Sequence, residues 1–170
     1  MKLIMETWRR YLSEDMSSLS FKDFDQPESG KGWRTIQDPA EQAEVMQNYI
    51  STNGKNISAG NLSLLIWHMG QALAYSGNNQ KAADTMKNVI KRQQGQSHEE
   101  IVDYGRATVA FLEGDMKTLN IIYDKYKDRI EKQDQEDMNM NIIGCMKRCA
   151  ENNNFNYAKA YQAAPKGCDY

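Results

Sequence analysis

The stretch Ser63 to Ile90 constrains the fold of this chain more than any other. It reads SLLIWHMGQALAYSGNNQKAADTMKNVI. An apolar pattern of helical length runs up to Gly77, and a second one begins directly after Asn78-Asn79. Small residues flank the turn at Gly70, Ala72 and Ala82, where a larger side chain would hold two antiparallel helices apart. The spacing predicts a helical hairpin that turns at Gly77-Asn78.

The chain repeats this pattern. Moving Gly77 onto Gly114 lays Trp67 on Tyr104, Gly70 on Ala107, Leu73 on Ala110 and Ala82 on Leu119. Moving Gly114 onto Asn153 brings NNFNYAKAYQAA onto the turn and second helix of a third hairpin, with Ala158 where Ala82 stood. Asn153 replaces the turn glycine, and Asn is the other residue that readily takes the left-handed conformation a helix end needs. MNMNIIGCMKRCAEN is the expected first helix of that third unit. With Met69-Gly70, Ala72, Gly77 and Ala82 on small and apolar positions, the chain resembles the tetratricopeptide (TPR) family, whose unit is a helix pair of roughly 34 residues. That resemblance implies an all-α fold of antiparallel hairpins stacked into a short right-handed solenoid. Residues 60 to 130 are also similar to a group of small bacterial proteins that carry a WHxGQ-like helix (Trp67, His68, Gly70, Gln71) and a later ATxAFL-like helix (Ala107 to Leu112). This second likeness implies a TPR-like fold and no activity.

Upstream, Asp38-Pro39-Ala40-Glu41 predicts a helix start, with Asp as the cap and Pro in the first turn. Before it, the Ser- and Asp-rich stretch from Ser13 to Lys31 is interrupted by Leu19, Phe21 and Phe24. Such residues would be wasted in a free linker, so this arm is expected to lie against the scaffold. Ile4, Met5, Trp8 and Leu12 predict a short packed helix before it. The expected organisation is an N-terminal helix and arm over 1–35 and a hairpin domain over 36–170.

Composition narrows the function classes. Lys and Arg total 21 against 23 Asp and Glu, a net charge of −2. No basic field exists for a phosphate backbone, so no nucleic-acid partner is expected. A mean hydropathy of −0.78 is polar for a compact globule but suits a solenoid, which buries only the stripes between neighbouring hairpins. No apolar run reaches the ~20 residues of a membrane span. The charged start MKLIMETWRRYL does not read as a signal peptide, and an odd cysteine count argues against a secreted disulfide framework. The expected location is cytoplasmic.

Trp67, His68, Gln71 and Tyr75 lie along two turns of one predicted helix. Asp103, Tyr104 and Arg106 lie on a second. In the TPR register Trp67, Gln71 and Tyr75, and then Tyr104, Thr108 and Phe111, fall on or beside positions that face the inner groove. Aromatic rings with interleaved amide and imidazole groups suit the capture of an extended peptide. The expected function is therefore a protein- or peptide-binding scaffold or adaptor that uses its concave face. The alternatives are a small-molecule-responsive sensor, or a weak hydrolase built on His68 with Asp103 or Arg106, in a pocket between the helices carrying Trp67 and Arg106. No Gly-rich phosphate loop, HExxH or nucleophile elbow is present. No catalytic residue, cofactor or metal is assigned, and a non-enzymatic role is the expectation. Cys145 and Cys149, four apart, are expected to behave as small buried apolar residues. Cys168 in the tail is expected to be exposed, and pairing with either would require the tail to fold back.

Overall fold

The computed structural model describes residues 16–26, 30–93, 99–133, 137–166 and 168. The predicted helix over 3–12 lies outside them. Among the described residues all regular structure is helical: α1 (Phe21–Asp25), α2 (Pro39–Asn53), α3 (Ala59–Tyr75), α4 (Asn79–Gln93), α5 (Glu99–Glu113), α6 (Met116–Gln133), α7 (Met138–Glu151) and α8 (Tyr157–Ala163). None is long and apolar enough to cross a membrane. The chain forms two compact units that part between Ala72 and Leu73, inside α3.

In the first unit, Asp38 caps α2 by accepting from the Ala40 N–H at 3.1 Å, and Gln42 ties the same end back to the Ile36 carbonyl at 2.7 Å. The arm is fastened to this helix. Phe24 is completely buried and stacks on Tyr49 with ring centroids 3.8 Å apart. The Tyr49 hydroxyl donates to the Leu19 carbonyl, and the Asn53 amide donates to that of Ser17. Burying Phe24 against Tyr49 removes two aromatic faces from water, worth about 2 kcal/mol for each ring.

The second unit opens on the first of three chemically equivalent helix ends. The Asn78 N–H reaches back to the Leu73 carbonyl at 2.9 Å and the Gly77 N–H to that of Ala74 at 3.1 Å. Asp115 and Gly114 repeat these two bonds onto Ala110 and Phe111, and Asn154 and Asn153 repeat them onto Cys149 and Ala150. Gly77, Gly114 and Asn153 have φ of 81°, 72° and 53°. Each occupies the left-handed position that lets the last helical carbonyls find donors. The three predicted turns are therefore present.

The third turn departs from the predicted register. Asn154 to Asn156 are not helical, and the Asn156 side chain then caps α8 by accepting from the Lys159 N–H. The extended stretch seats Phe155 against Phe111, centroids 5.7 Å apart. Delaying the helix moves the buried small residue along with it. Ala82 and Leu119 are fully buried in their units, but in the third unit this role passes from Ala158 to Ala160. Within the second unit α5 packs on α4, α6 and α7, α6 packs on α7, and α7 packs on α8.

Candidate functional site

Two polar clusters and two grooves stand out, each within one unit. The first cluster is built on Asp25, the last residue of α1, whose carboxylate is completely buried. Its Oδ1 accepts from the Trp33 indole N–H at 3.0 Å and lies 2.9 Å from His68 Nδ1. The Arg34 guanidinium is 4.0 Å away and also donates through Nε to the Asp25 carbonyl at 2.7 Å. Arg34 lies over the Trp33 ring at 4.1 Å, and the Trp33 and His68 rings meet at 5.5 Å. Gly32 permits this closure. Its φ is 70°, and a side chain there would overlap the Phe24 carbonyl.

Burial alone would raise the Asp25 pKa, but the bonds from His68 and Trp33 and the charge of Arg34 outweigh it. The carboxyl is held below its ordinary value. A carboxylate bonded to Nδ1 fixes the imidazole tautomer when the ring is neutral and leaves Nε2 as the acceptor. The carboxylate hydrogen-bonded to His68 is Asp25, a residue that spacing along the sequence does not single out. Trp67 and Gln71, on either side of His68 along α3, are half-buried.

The second cluster surrounds Asp103 on α5, which is buried. Arg129 Nη1 and Lys125 Nζ, both from α6, each stand 3.2 Å from its Oδ2. Arg106, three residues further along α5, is more distant at 3.9 Å, and its side chain remains 46% exposed. Arg129 also lies over the Tyr126 ring at 4.7 Å. The Tyr126 hydroxyl donates to Asp137, the cap of α7, at 2.9 Å. Burial and that neighbouring carboxylate push the Tyr126 pKa up to about 12.

Tyr104 is buried, whereas Tyr75 is half-buried. The Tyr75 ring meets the edges of Tyr157 and Tyr161 at 5.3 and 5.8 Å. Burial, followed by the nearby Tyr161 and Tyr104 hydroxyls, raises its pKa. Thr108 and Phe111, expected to face the groove, are completely buried. Thr108 returns its hydroxyl to the Tyr104 carbonyl, and Phe111 packs on Phe155. Their place is the core, because α5 is covered by neighbours on more than one side.

Arg106 lines a groove of about 430 Å³ formed by Lys87, Ile90 and Lys91 of α4, Val109, Ala110 and Glu113 of α5, and Asp115 and Thr118 at the start of α6. Ile90, Val109 and Ala110 form an apolar floor. Lys87 pairs with Glu113 at 2.5 Å. Asp115 is committed to its cap, accepting from the Thr118 N–H at 3.0 Å and the Thr118 hydroxyl at 2.6 Å. Those bonds draw its pKa down.

The second groove, about 330 Å³, lies on α6 and α7 beside Cys168. Cys168 is not exposed as expected. The tail folds back, the residue is buried, and its sulfur is bonded to Cys145 of α7. Cys149 is buried one helical turn further along. Among the described residues no cluster of His, Cys, Asp and Glu is placed to hold a metal ion. No family model, curated protein or solved structure matches the chain.

Proposed function

We propose that this chain is a TPR-like helical-repeat scaffold that holds a peptide segment of a partner protein, and that the groove across α4, α5 and the start of α6 receives it. The observation that carries this reading is the charge remaining in that groove after its internal pairings. Lys87 is matched by Glu113 and Asp115 is spent on its cap. Lys91 and Arg106 remain as cations beside the floor of Ile90, Val109 and Ala110. Asp103 does not neutralise Arg106 alone, because Arg129 and Lys125 hold that carboxylate more closely.

An extended acidic segment suits this arrangement. Its apolar side chains meet the floor, and a carboxylate takes the planar fork of Arg106. The three equivalent helix ends and the packing of α5 on α4, α6 and α7 support a tandem-hairpin scaffold. Fold alone does not assign a function, so the groove is what must be tested. Fluorescence anisotropy on a panel of labelled acidic peptides, with charge-reversed counterparts, is expected to show binding of acidic members only. Binding should weaken about tenfold or more in Lys91→Glu, Arg106→Glu, with the melting temperature kept. Equal binding of both panels, or no effect of the charge reversal, would refute this reading.

A further inference from the structure

The Cys145–Cys168 disulfide and the groove beside it have a chemistry that is independent of peptide binding. We propose that Cys168 is a thiol-exchange site: a small anionic thiol of tripeptide size enters the groove on α6 and α7 and displaces Cys145 to form a mixed disulfide with Cys168.

Position selects the sulfur. Cys145 is completely buried within α7, whereas Cys168 is 7% exposed and forms part of the groove wall. The rest of the wall includes Tyr123, Asn141, Gly144, Lys147 and Arg148. Gly144 adds no side chain to this wall, and a Cβ there would stand in ordinary contact with the Tyr123 ring at 3.7 Å. At about 330 Å³ the space is at the lower end for small-molecule sites, which run from about 300 to 1,000 Å³.

Charge selects the ligand. Lys147 and Arg148 are adjacent cations on this wall and Glu151 is its one carboxylate, so the lining carries a net positive charge. Lys147 is paired with Glu151 and lies 5.4 Å from the Tyr123 ring. A carboxylate on the incoming thiol competes with Glu151 for that ammonium, and the net positive charge of the wall favours the thiolate form that attacks. The backbone favours opening. Cys168 has φ of 66°, a left-handed conformation that is strained for a non-glycine residue. It is held there by the disulfide and by its N–H bond to the Ala163 carbonyl at 3.0 Å.

The exchange balances without an added oxidant. The incoming thiolate attacks Cys168 Sγ, a new S–S bond forms, and the Cys145–Cys168 bond breaks. The electron pair passes to Cys145 Sγ, which takes a proton from water. Reversal expels the small thiol and restores the clasp. While the adduct stands, the tail after Ala163 has lost its covalent tie to α7.

The test uses the full oxidised chain. It is incubated with reduced glutathione or with the cationic thiol cysteamine at matched thiolate concentration, quenched by alkylation and mapped by peptide mass. Glutathione is expected on Cys168 with Cys145 alkylated, forming on the order of tenfold faster than the cysteamine adduct. That preference should disappear in Lys147→Gln, Arg148→Gln and should shrink with added salt for the unaltered chain. An adduct on Cys145 or Cys149, no adduct at all, equal rates for the two thiols, or three alkylatable thiols in the oxidised chain would each overturn the proposal.

Discussion

Asp25 Oδ1 stands 2.9 Å from His68 Nδ1, so a carboxylate from the N-terminal arm is bonded to an imidazole in the middle of α3. The same oxygen accepts a hydrogen bond from the Trp33 indole N–H. One buried group therefore ties α1, the Trp33 turn and α3 together. Asp25→Ala would leave the Trp33 N–H and His68 Nδ1 without that acceptor. The expected loss is about 3 kcal/mol, since bonds to a charged acceptor contribute about 1.5–3 kcal/mol each and orphaned buried donors add a penalty. Asp25→Asn keeps the shape and one acceptor and should lose less. Urea melts of the two variants check this; equal losses for Ala and Asn would mean that the charge both variants lose, and not the acceptor or the filled volume, dominates.

The same carboxyl sets an acid limit. Its folded pKa lies below the ordinary value of 3.8 because the bonds from His68 and Trp33 outweigh burial. A depressed folded pKa means that the unfolded chain takes up the proton first. The contribution is complete above pH 3.8 and is lost as pH falls through the lower folded value. As pH falls below 3.8 the unaltered protein is expected to lose stability more steeply than Asp25→Asn. Parallel acid-melt slopes would show that the carboxylate is not stabilised in the fold.

Gly77 gives a cleaner test of the helix ends. It has φ of 81°, and the position a Cβ would occupy opens onto empty space, so a substitution there meets backbone strain without a clash. Gly77→Val is expected to destabilise by about 1 kcal/mol or more, and Gly77→Asn by less. Asn153→Gly, at φ of 53°, should be neutral or mildly stabilising. Thermal melts in which Val and Asn behave alike would count against the left-handed cap.

These turns were legible because their chemistry is local. A glycine or asparagine at the end of an apolar periodicity needs no distant partner to state what it does. The Asp25–His68 bond was not legible, because no spacing rule joins positions so far apart, and Asp25 sits in a stretch that reads as a polar arm. The aromatic residues of that arm did signal docking, and Phe24 stacks on Tyr49 as that reasoning requires. The return of Cys168 to Cys145 depends on the path of α8 and the turn after it, which composition does not encode. The shift from Ala158 to Ala160 follows from Asn156, whose capping side chain delays the helix. A register carried over from two earlier hairpins cannot anticipate that.

The Asp103 cluster yields the prediction that best separates a structural cation from a binding one. Arg106 and Arg129 both face Asp103, at 3.9 and 3.2 Å, but Arg106 is 46% exposed and Arg129 18%. A solvated, distant pair contributes about 0–1 kcal/mol, so Arg106→Ala should change stability by no more than about 0.5 kcal/mol. Asp103 would still be held by Arg129 and Lys125. Arg129→Ala removes the more buried cation and its packing over Tyr126. It leaves a buried carboxylate served mainly by an exposed lysine, and its expected loss is about 2–3 kcal/mol. Chemical denaturation of the two single variants and the double variant gives the comparison. A loss for Arg106→Ala as large as that for Arg129→Ala would make Arg106 part of the structural pair and would remove it from the groove's binding surface.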